Sequence, residues 1–354
     1  MKFLPRISNE VFEDQWSAKN VEMREFDLHL DSQYSYFFNK SFSDVTYDEA
    51  RYQNEQALSV VFRRHLESVV ELVKENFSYS DSLVEVGCGK ATFFNLLSNS
   101  GFRNLRGFDR TYQGSDPRIT KDYLSDFHKP LSADGILLRH VLEHIPDPVY
   151  FLADLEQINQ KSLKFVIEVP SMEWNIRANA YWDFGYEHAN YFTVDSFKKI
   201  FKECKIYKVF SEQYLLVIAD SSSLVERVRS DSEPSAEFEK MLDESLAINS
   251  LTKFARDGGR YWVWGAGGKG VLLMFHLMQI KSSKIQPPLG VIDINPAKQN
   301  KFLASSALPI VSPTSFFRDV RENDVIFVTN PNYKDEVLAL IQANCSIRVE
   351  LVIL

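Results

Sequence analysis

The stretch Leu83-Val84-Glu85-Val86 is a short apolar run that ends in an acidic residue and leads into Gly87-Cys88-Gly89-Lys90-Ala91-Thr92; 24 residues after Glu85 a second apolar run closes on Phe108-Asp109. Between the two, Thr92 to Asn99 is helix-compatible. A strand, a tight Gly-x-Gly turn, a helix and a second strand ending in an acid form the layout of a nucleoside-binding βαβ unit. The glycines let backbone approach a ligand closely, where a Cβ would collide. Asp109, at the tip of the second strand, is placed to accept hydrogen bonds from both hydroxyls of a ribose.

The turn differs from a dinucleotide loop. It reads GCGKAT, with Ala91 at the next alternate position and no glycine at 92, and no phosphate-gripping Gly-x-x-x-x-Gly-Lys-Ser/Thr is present. Glu85 would repel a pyrophosphate but suits a cationic ligand. These features favour S-adenosylmethionine (SAM) over NAD. The expected cofactor wall is Glu85, Gly87, Cys88, Gly89 and Asp109, with Asp122 near the end of the third strand as acceptor for the adenine amino group. Arg139 and His140, after the fourth strand, complete it.

Length and composition bound the rest. A chain of 354 residues allows two or three domains. A net charge of −8 argues against extended nucleic-acid binding. Cys88, Cys204 and Cys345 stand far apart and form no metal-ligand cluster, so no metal is expected. The start, MKFLPRISNEVFEDQW, turns polar too early for a signal peptide, and no apolar stretch approaches the length of a membrane span. The expectation is a soluble, cytoplasmic protein.

Along the chain, residues 1–47 read as an aromatic-rich extension of short strands and loops (Tyr34, Tyr36, Phe37, Phe38, Phe42). Residues 48–220 read as one domain. It opens with an amphipathic helix over 48–76, whose Leu58, Val61, Phe62, Leu66, Val69, Val70 and Val73 recur at helical spacing. Apolar runs then alternate with helical segments, which argues a doubly wound, mainly parallel sheet. The last two runs, IYKVF and YLLVIA, lie close enough for an antiparallel hairpin. Residues 221–257 are charged and helix-compatible with a breaker at Pro234, a bridging helical linker. Residues 258–354 carry a second nucleotide-fold signature. YWVWGAGGKG runs a strand into Gly265-x-Gly267-x-x-Gly270, and LGVIDINP places Asp293 at the end of the next strand. This is a second, smaller Rossmann-like domain. Its turn, with Lys269, offers a place for substrate phosphates; a purely structural role is the alternative.

Arg139-His140-Val141-Leu142-Glu143-His144 falls at the carboxyl end of a central strand, where ligands of open α/β sheets bind. After Glu168-Val169-Pro170 comes AYWDFGYEHANYFT, with Tyr181, Trp182, Asp183, Tyr186, Glu187, His188, Tyr191 and Phe192 within twelve residues. That density reads as a substrate pocket, with Trp182, Tyr191 and His144 as its walls.

EVGCGK, GFD, RHVLEHIPDP, IEVP and YEHANYF resemble class I SAM-dependent methyltransferases. Together with VWGAGGKG and IDINPAKQ, they resemble the sugar C-methyltransferases of the tetronitrose type. The resemblance covers roughly residues 30–354. It implies a seven-stranded doubly wound sheet and a nucleotide-linked keto-deoxysugar as substrate, and so a place in polysaccharide or related sugar biosynthesis. Three departures stand out. Family members usually carry four zinc-binding cysteines near the N-terminus, absent here. Their loop commonly has glycine where this chain has Ala91. Their Tyr-His-Glu-His reads Gly185-Tyr186-Glu187-His188 here.

The chemistry expected is in-line methyl transfer from an activated sulfonium, which requires positioning and proton removal. Neutral His188 is the candidate base, supported by Glu187. Tyr186 or Tyr191 would hydrogen-bond the developing oxyanion. The alternatives are O- or N-methylation of a sugar or surface-glycan precursor, a non-catalytic nucleotide-binding scaffold, and, more weakly, an NAD-dependent enzyme using the GAGGKG turn. The sequence does not fix the oligomeric state.

Overall fold

The computed structural model describes residues 2–43, 45–124, 130–226, 231–235, 246–280 and 285–354. At its centre lies a seven-stranded sheet. The strand order is Lys205–Val209, Tyr214–Asp220, Lys164–Pro170, Gly135–Arg139, Leu83–Val86, Leu105–Phe108, Ile119–Thr120. Neighbours are parallel except for Tyr214–Asp220, which runs antiparallel to both strands beside it. The hairpin is therefore present, with its second arm tucked inside. The burial explains the choice: six of the seven residues of Tyr214–Asp220 are buried, as an interior strand requires, whereas Lys205–Val209 has none buried and suits an edge. The order in which strands are added reverses at Leu83–Val86, between Gly135–Arg139 on one side and Leu105–Phe108 on the other, so a crevice opens at the carboxyl ends there.

The helix expected from residue 48 begins at Val60 and runs to Asn76, burying Phe62, Leu66, Val69, Val70 and Val73. Ser59 caps it by accepting from the Phe62 N–H. The preceding residues are held out of the helix because their backbone is used elsewhere. Val11 N donates to Arg51 O, and Gln53 N donates to Asn9 O.

The N-terminal residues form two small sheets. Lys2–Pro5 pairs with Met23–Phe26, and a four-stranded antiparallel sheet follows the order Asn190–Tyr191, Phe37–Asn39, Leu28–Asp31, Ser232–Pro234. The expected helical linker thus supplies a strand. Pro234 sits on the sheet edge, where its missing N–H costs no ladder bond. Leu246–Arg256 is helical, while 227–230 and 236–245 lie outside the described residues.

A second sheet has five parallel strands in the order Ile310–Val311, Val291–Ile292, Tyr261–Trp264, Val325–Val328, Glu350–Ile353, with the helix Gly268–Gln279 after the first of them in sequence. This is the smaller Rossmann-like unit. A strand pair and a shared core are among the contacts that tie it to the rest. Phe302–Leu303 pairs with Val11–Phe12, and Leu272 and Tyr261 share one apolar core with Phe26, Tyr181, Trp182 and Phe184. Full burial of each such side chain contributes about 1.5–3 kcal/mol, so this shared core fixes the two units together. No helix among the described residues is long and apolar enough to cross a membrane.

The second glycine turn is tightly closed. A Cβ on Gly270 would stand 1.9 Å from the Gly265 carbonyl oxygen. Gly270→Ala is expected to destabilise the protein by about 1–3 kcal/mol through overpacking. A thermal melt indistinguishable from wild type would show that the turn relaxes.

Candidate active site

All eight residues expected to face the cofactor line one cleft of about 690 Å³ at the carboxyl edge of the seven-stranded sheet. Gly87 has φ +72°, and a Cβ there would come within 2.4 Å of Val141 Cγ2. Ala91 adopts φ 63° just before the helix Thr92–Ser100, so the left-handed turn is made at this position by an alanine, at a cost of about 1–2 kcal/mol. Asp109 is already engaged: Oδ2 accepts from Gly89 N at 2.8 Å, and Oδ1 accepts from Thr111 N and Oγ1, both at 2.7 Å. It braces the turn, and a carboxylate's remaining lone pairs leave room for further donors. Asp122 lines the cleft as an exposed acid whose Oδ1 accepts from Tyr123 N. Burial raises the Cys88 thiol, which therefore stays protonated and packs as an apolar group.

Behind the turn lies a line of buried charge. Glu85 is 4% exposed, and its Oε2 has no hydrogen-bond partner among the described residues. Burial pushes its carboxyl up to about 7, opposed by Arg139 and aided by Asp109. Arg139 faces the cleft but is committed inward, with Nε donating to Glu168 Oε2 at 2.6 Å and its guanidinium 4.4 Å from the Phe93 ring centre. Glu168 is wholly buried and also meets His65 Nε2 at 2.5 Å. Burial works to raise Glu168, but Arg139 and His65 outweigh it and hold the carboxyl well below the usual range.

A second cavity of about 230 Å³ lies between the seven-stranded unit and the C-terminal unit. His144, Glu187, His188, Gly265, Gly267 and Lys269 line it. The two cavities share a wall made of the 52–56 segment, His140, His144 and Glu187. His140 holds a left-handed φ of 52° at the strand end, and its Nδ1 lies 3.3 Å from Glu143 Oε1. His144 Nδ1–H donates to the Glu187 carbonyl at 2.7 Å, which fixes the tautomer. Burial works to raise Glu143, and His140, His144 and His188 hold it below the ordinary value. Burial pushes His188 down to about 3, so the ring is neutral, and its Nδ1 has no hydrogen-bond partner among the described residues.

The Glu187 carboxylate does not hydrogen-bond His188. Oε1 accepts from Ser8 N at 3.0 Å, Oε2 has no hydrogen-bond partner among the described residues, and burial raises the group against the pull of His144 and Ser8. Glu143, His144 and His188 bring donor atoms within 4.8 Å of one another.

Three expected site residues lie elsewhere. The Tyr186 hydroxyl accepts from Ser43 N at 2.8 Å and donates to Ser41 O, and its ring stacks on Phe42. The Tyr191 hydroxyl donates to Gly185 O at 2.8 Å. Trp182 is packed against Tyr181 at 2% exposure. None of the three lines either cavity; the aromatic density of this segment fills the core that joins the units. Lys269 is ion-paired with Asp183 and lies 5.0 Å from the Trp174 ring centre. Residues missed by sequence reasoning complete the interdomain cavity. Ser8 and Asn9 lie over the second glycine turn. Lys298, 5% exposed, donates to Ala266 O at 3.0 Å. Nothing in the local sequence marks either.

Residues 57–204 match the family of methyltransferase domains, and residues 225–353 match the C-methyltransferase C-terminal domain. No curated protein matches the chain. Among solved structures it is similar to a SAM-dependent methyltransferase from Archaeoglobus fulgidus (17% identity, 46% of this chain and 100% of that one, TM-score 0.34). It is also similar to the 1,6-didemethyltoxoflavin-N1-methyltransferase of Burkholderia thailandensis (13%, 55% and 98%, 0.34). A third is the magnesium protoporphyrin IX methyltransferase of Synechocystis PCC 6803 (13%, 50% and 86%, 0.32). With two adjoining domain matches over a sheet of this order, the chain is a SAM-dependent methyltransferase that carries a C-methyltransferase C-terminal domain, and S-adenosylmethionine is its cofactor.

Proposed function

We propose that the enzyme methylates a carbon of a nucleotide-linked keto-deoxysugar, as a cytoplasmic step in making a polysaccharide or a related sugar. The observation that carries this reading is the wall shared by the two cavities. With the donor in the glycine-turn cleft and the acceptor between the units, the methyl group crosses at His140, His144 and Glu187. The N-terminus of the helix Gly268–Gln279, with Lys298 near it, suits an anionic handle.

The roles differ from those expected. A buried carboxylate whose pKa is raised is a stronger base than an exposed one, whereas an imidazole pushed to about 3 is a weak base. Glu187 therefore takes the proton beside the keto group. The resulting enolate carbon attacks the sulfonium methyl, one C–C bond forms, and the S–CH₃ bond breaks to leave S-adenosylhomocysteine (SAH). Neutral His188 donates its N–H to the enolate oxygen, the part that Tyr186 and Tyr191 are too far engaged to play. His188→Ala is expected to lower turnover about 10²–10³-fold with SAH binding intact; unchanged turnover would remove it from the chemistry.

The test is exchange of the acidic substrate hydrogen with D₂O in the presence of SAH. Exchange catalysed by wild type but not by Glu187→Gln supports the enolate. Methyl transfer without exchange would move the reading to O- or N-methylation of a glycan precursor. One observation favours that second reading. Among the described residues, Glu55, Glu143, Asp183, Glu187, Asp293 and Glu336 line the interdomain cavity against Lys269 and Lys298 alone, and Asp183 already neutralises Lys269.

Cofactor binding should titrate with Glu85. Burial holds this carboxyl protonated below about 7, and a cationic ligand favours the carboxylate. Affinity for SAH, whose amino group is cationic, should rise up to tenfold per pH unit as pH climbs toward 7 and flatten above it. Calorimetry on wild type and Glu85→Gln would show this; an identical slope in both proteins would exclude Glu85 as the source.

A further inference from the structure

The segment from Tyr52 to Val61 is anchored on both of its sides. On the cofactor side, Lys90 Nζ donates to Gln53 Oε1 at 3.1 Å and Thr92 Oγ1 donates to Glu55 Oε2 at 2.9 Å. These two partners are the last residue of the GCGK turn and the first of the helix behind it. On the far side, two residues of the C-terminal unit take hold. Tyr333 OH donates to Gln56 Oε1 at 3.2 Å, and Glu336 Oε2 accepts from Ser59 Oγ at 2.6 Å and from Val61 N at 3.2 Å. Glu336 thereby caps a helix that belongs to the other unit. Asn54, Glu55 and Gln56 line both cavities, whereas Tyr333 and Glu336 line the interdomain one.

We propose that this segment is a movable common wall, with Glu55 and Glu336 as its positioning residues. Occupancy of the cofactor cleft pulls it into register and so tightens the interdomain cavity. The physical basis is that one short stretch supplies surface to both cavities and is bonded directly to the turn that touches the cofactor. Ordering that stretch for one ligand lowers the entropy still to be lost for the other. The coupling is reciprocal, so acceptor binding strengthens cofactor binding by the same factor. This rests on the reading of the interdomain cavity as the acceptor site.

Hydrogen–deuterium exchange on the full chain, with and without saturating SAH, tests it without the acceptor. SAH should slow exchange at least fivefold at 53–61 and again at 330–337, beyond the directly contacted 83–92. In Glu336→Ala, protection should persist at 83–92 and fade at 330–337, with SAH affinity changed less than threefold. Glu336→Gln, which keeps the acceptor oxygen, should restore the distant protection and serves as the check against a misfolded alanine variant. Protection confined to 83–92 in the wild type would overturn the proposal, as would distant protection that survives in Glu336→Ala. Either result leaves the assignment of the acceptor cavity standing. That assignment fails separately if sugar nucleotides neither bind nor compete in the cavity while SAH protection still reaches 330–337.

Discussion

Glu187→Gln should lower turnover by about 10²–10⁴-fold, the usual contribution of a positioned general base, while SAH binds within a few-fold of wild type. The substitution is nearly isosteric and keeps Oε1 as the acceptor for Ser8 N. It removes only the charge that takes the proton. Single-turnover assays under saturating SAM would isolate the step. Because burial raises the Glu187 carboxyl, the wild-type rate should also fall in mild acid, sooner than for an exposed carboxylate, as the base becomes protonated. A variant retaining more than a tenth of wild-type turnover would pass the role to another group, with His188 the first to examine.

The second large effect concerns stability. Arg139→Met leaves the Glu168 carboxylate enclosed in the core with His65 as its remaining close partner. Breaking a buried pair from one side costs about 3–5 kcal/mol, which lowers Tm by roughly 10 °C in a unit of this size. Replacing both partners, Arg139→Met with Glu168→Gln, should recover most of the loss, since the stranded charge is then gone. The sign with pH follows from the depressed Glu168 carboxyl. Its contribution is complete above the unfolded value of about 4.3 and is lost as pH falls toward the folded value, so the wild type and Arg139→Met should converge in acid. A single variant melting within 2 °C of wild type at neutral pH would refute this account.

Arg139 also shows what a sequence conceals. Its position at a strand end, facing the cleft, follows from the apolar run before it, but its inward partner lies 29 residues away on the next strand. The two strand–turn–helix units are legible because each is written in a window of about ten residues, with glycines where a Cβ would clash. The aromatic segment is not. Tyr186, Tyr191 and Trp182 carry the same composition whether they face a ligand or a core, and only the docking of a second unit decides it. Periodicity alone carries the helix back toward residue 48 because Leu58 falls on the helical period by chance, whereas Ser59 ahead of Val-Val-Phe is the helix-start signal that marks its true boundary. The interdomain cavity depends on contacts between residues hundreds of positions apart, such as Ser59 with Glu336. No local pattern encodes those contacts.

The pairing of Val11–Phe12 with Phe302–Leu303 has a consequence for how the molecule comes into being. A ribosome delivers Ser8 and Asn9 before the seven-stranded unit, yet their neighbours at Gly267, Gly268 and Lys298 are made more than 250 residues later. The seven-stranded sheet can assemble as it emerges. The opening segment waits, and Glu187 lacks its Ser8 amide until that segment is seated. Nascent chains stalled before residue 300 should therefore bind SAH and fail to catalyse, so methyl transfer begins only once the C-terminal unit has been made and the opening segment seated on it.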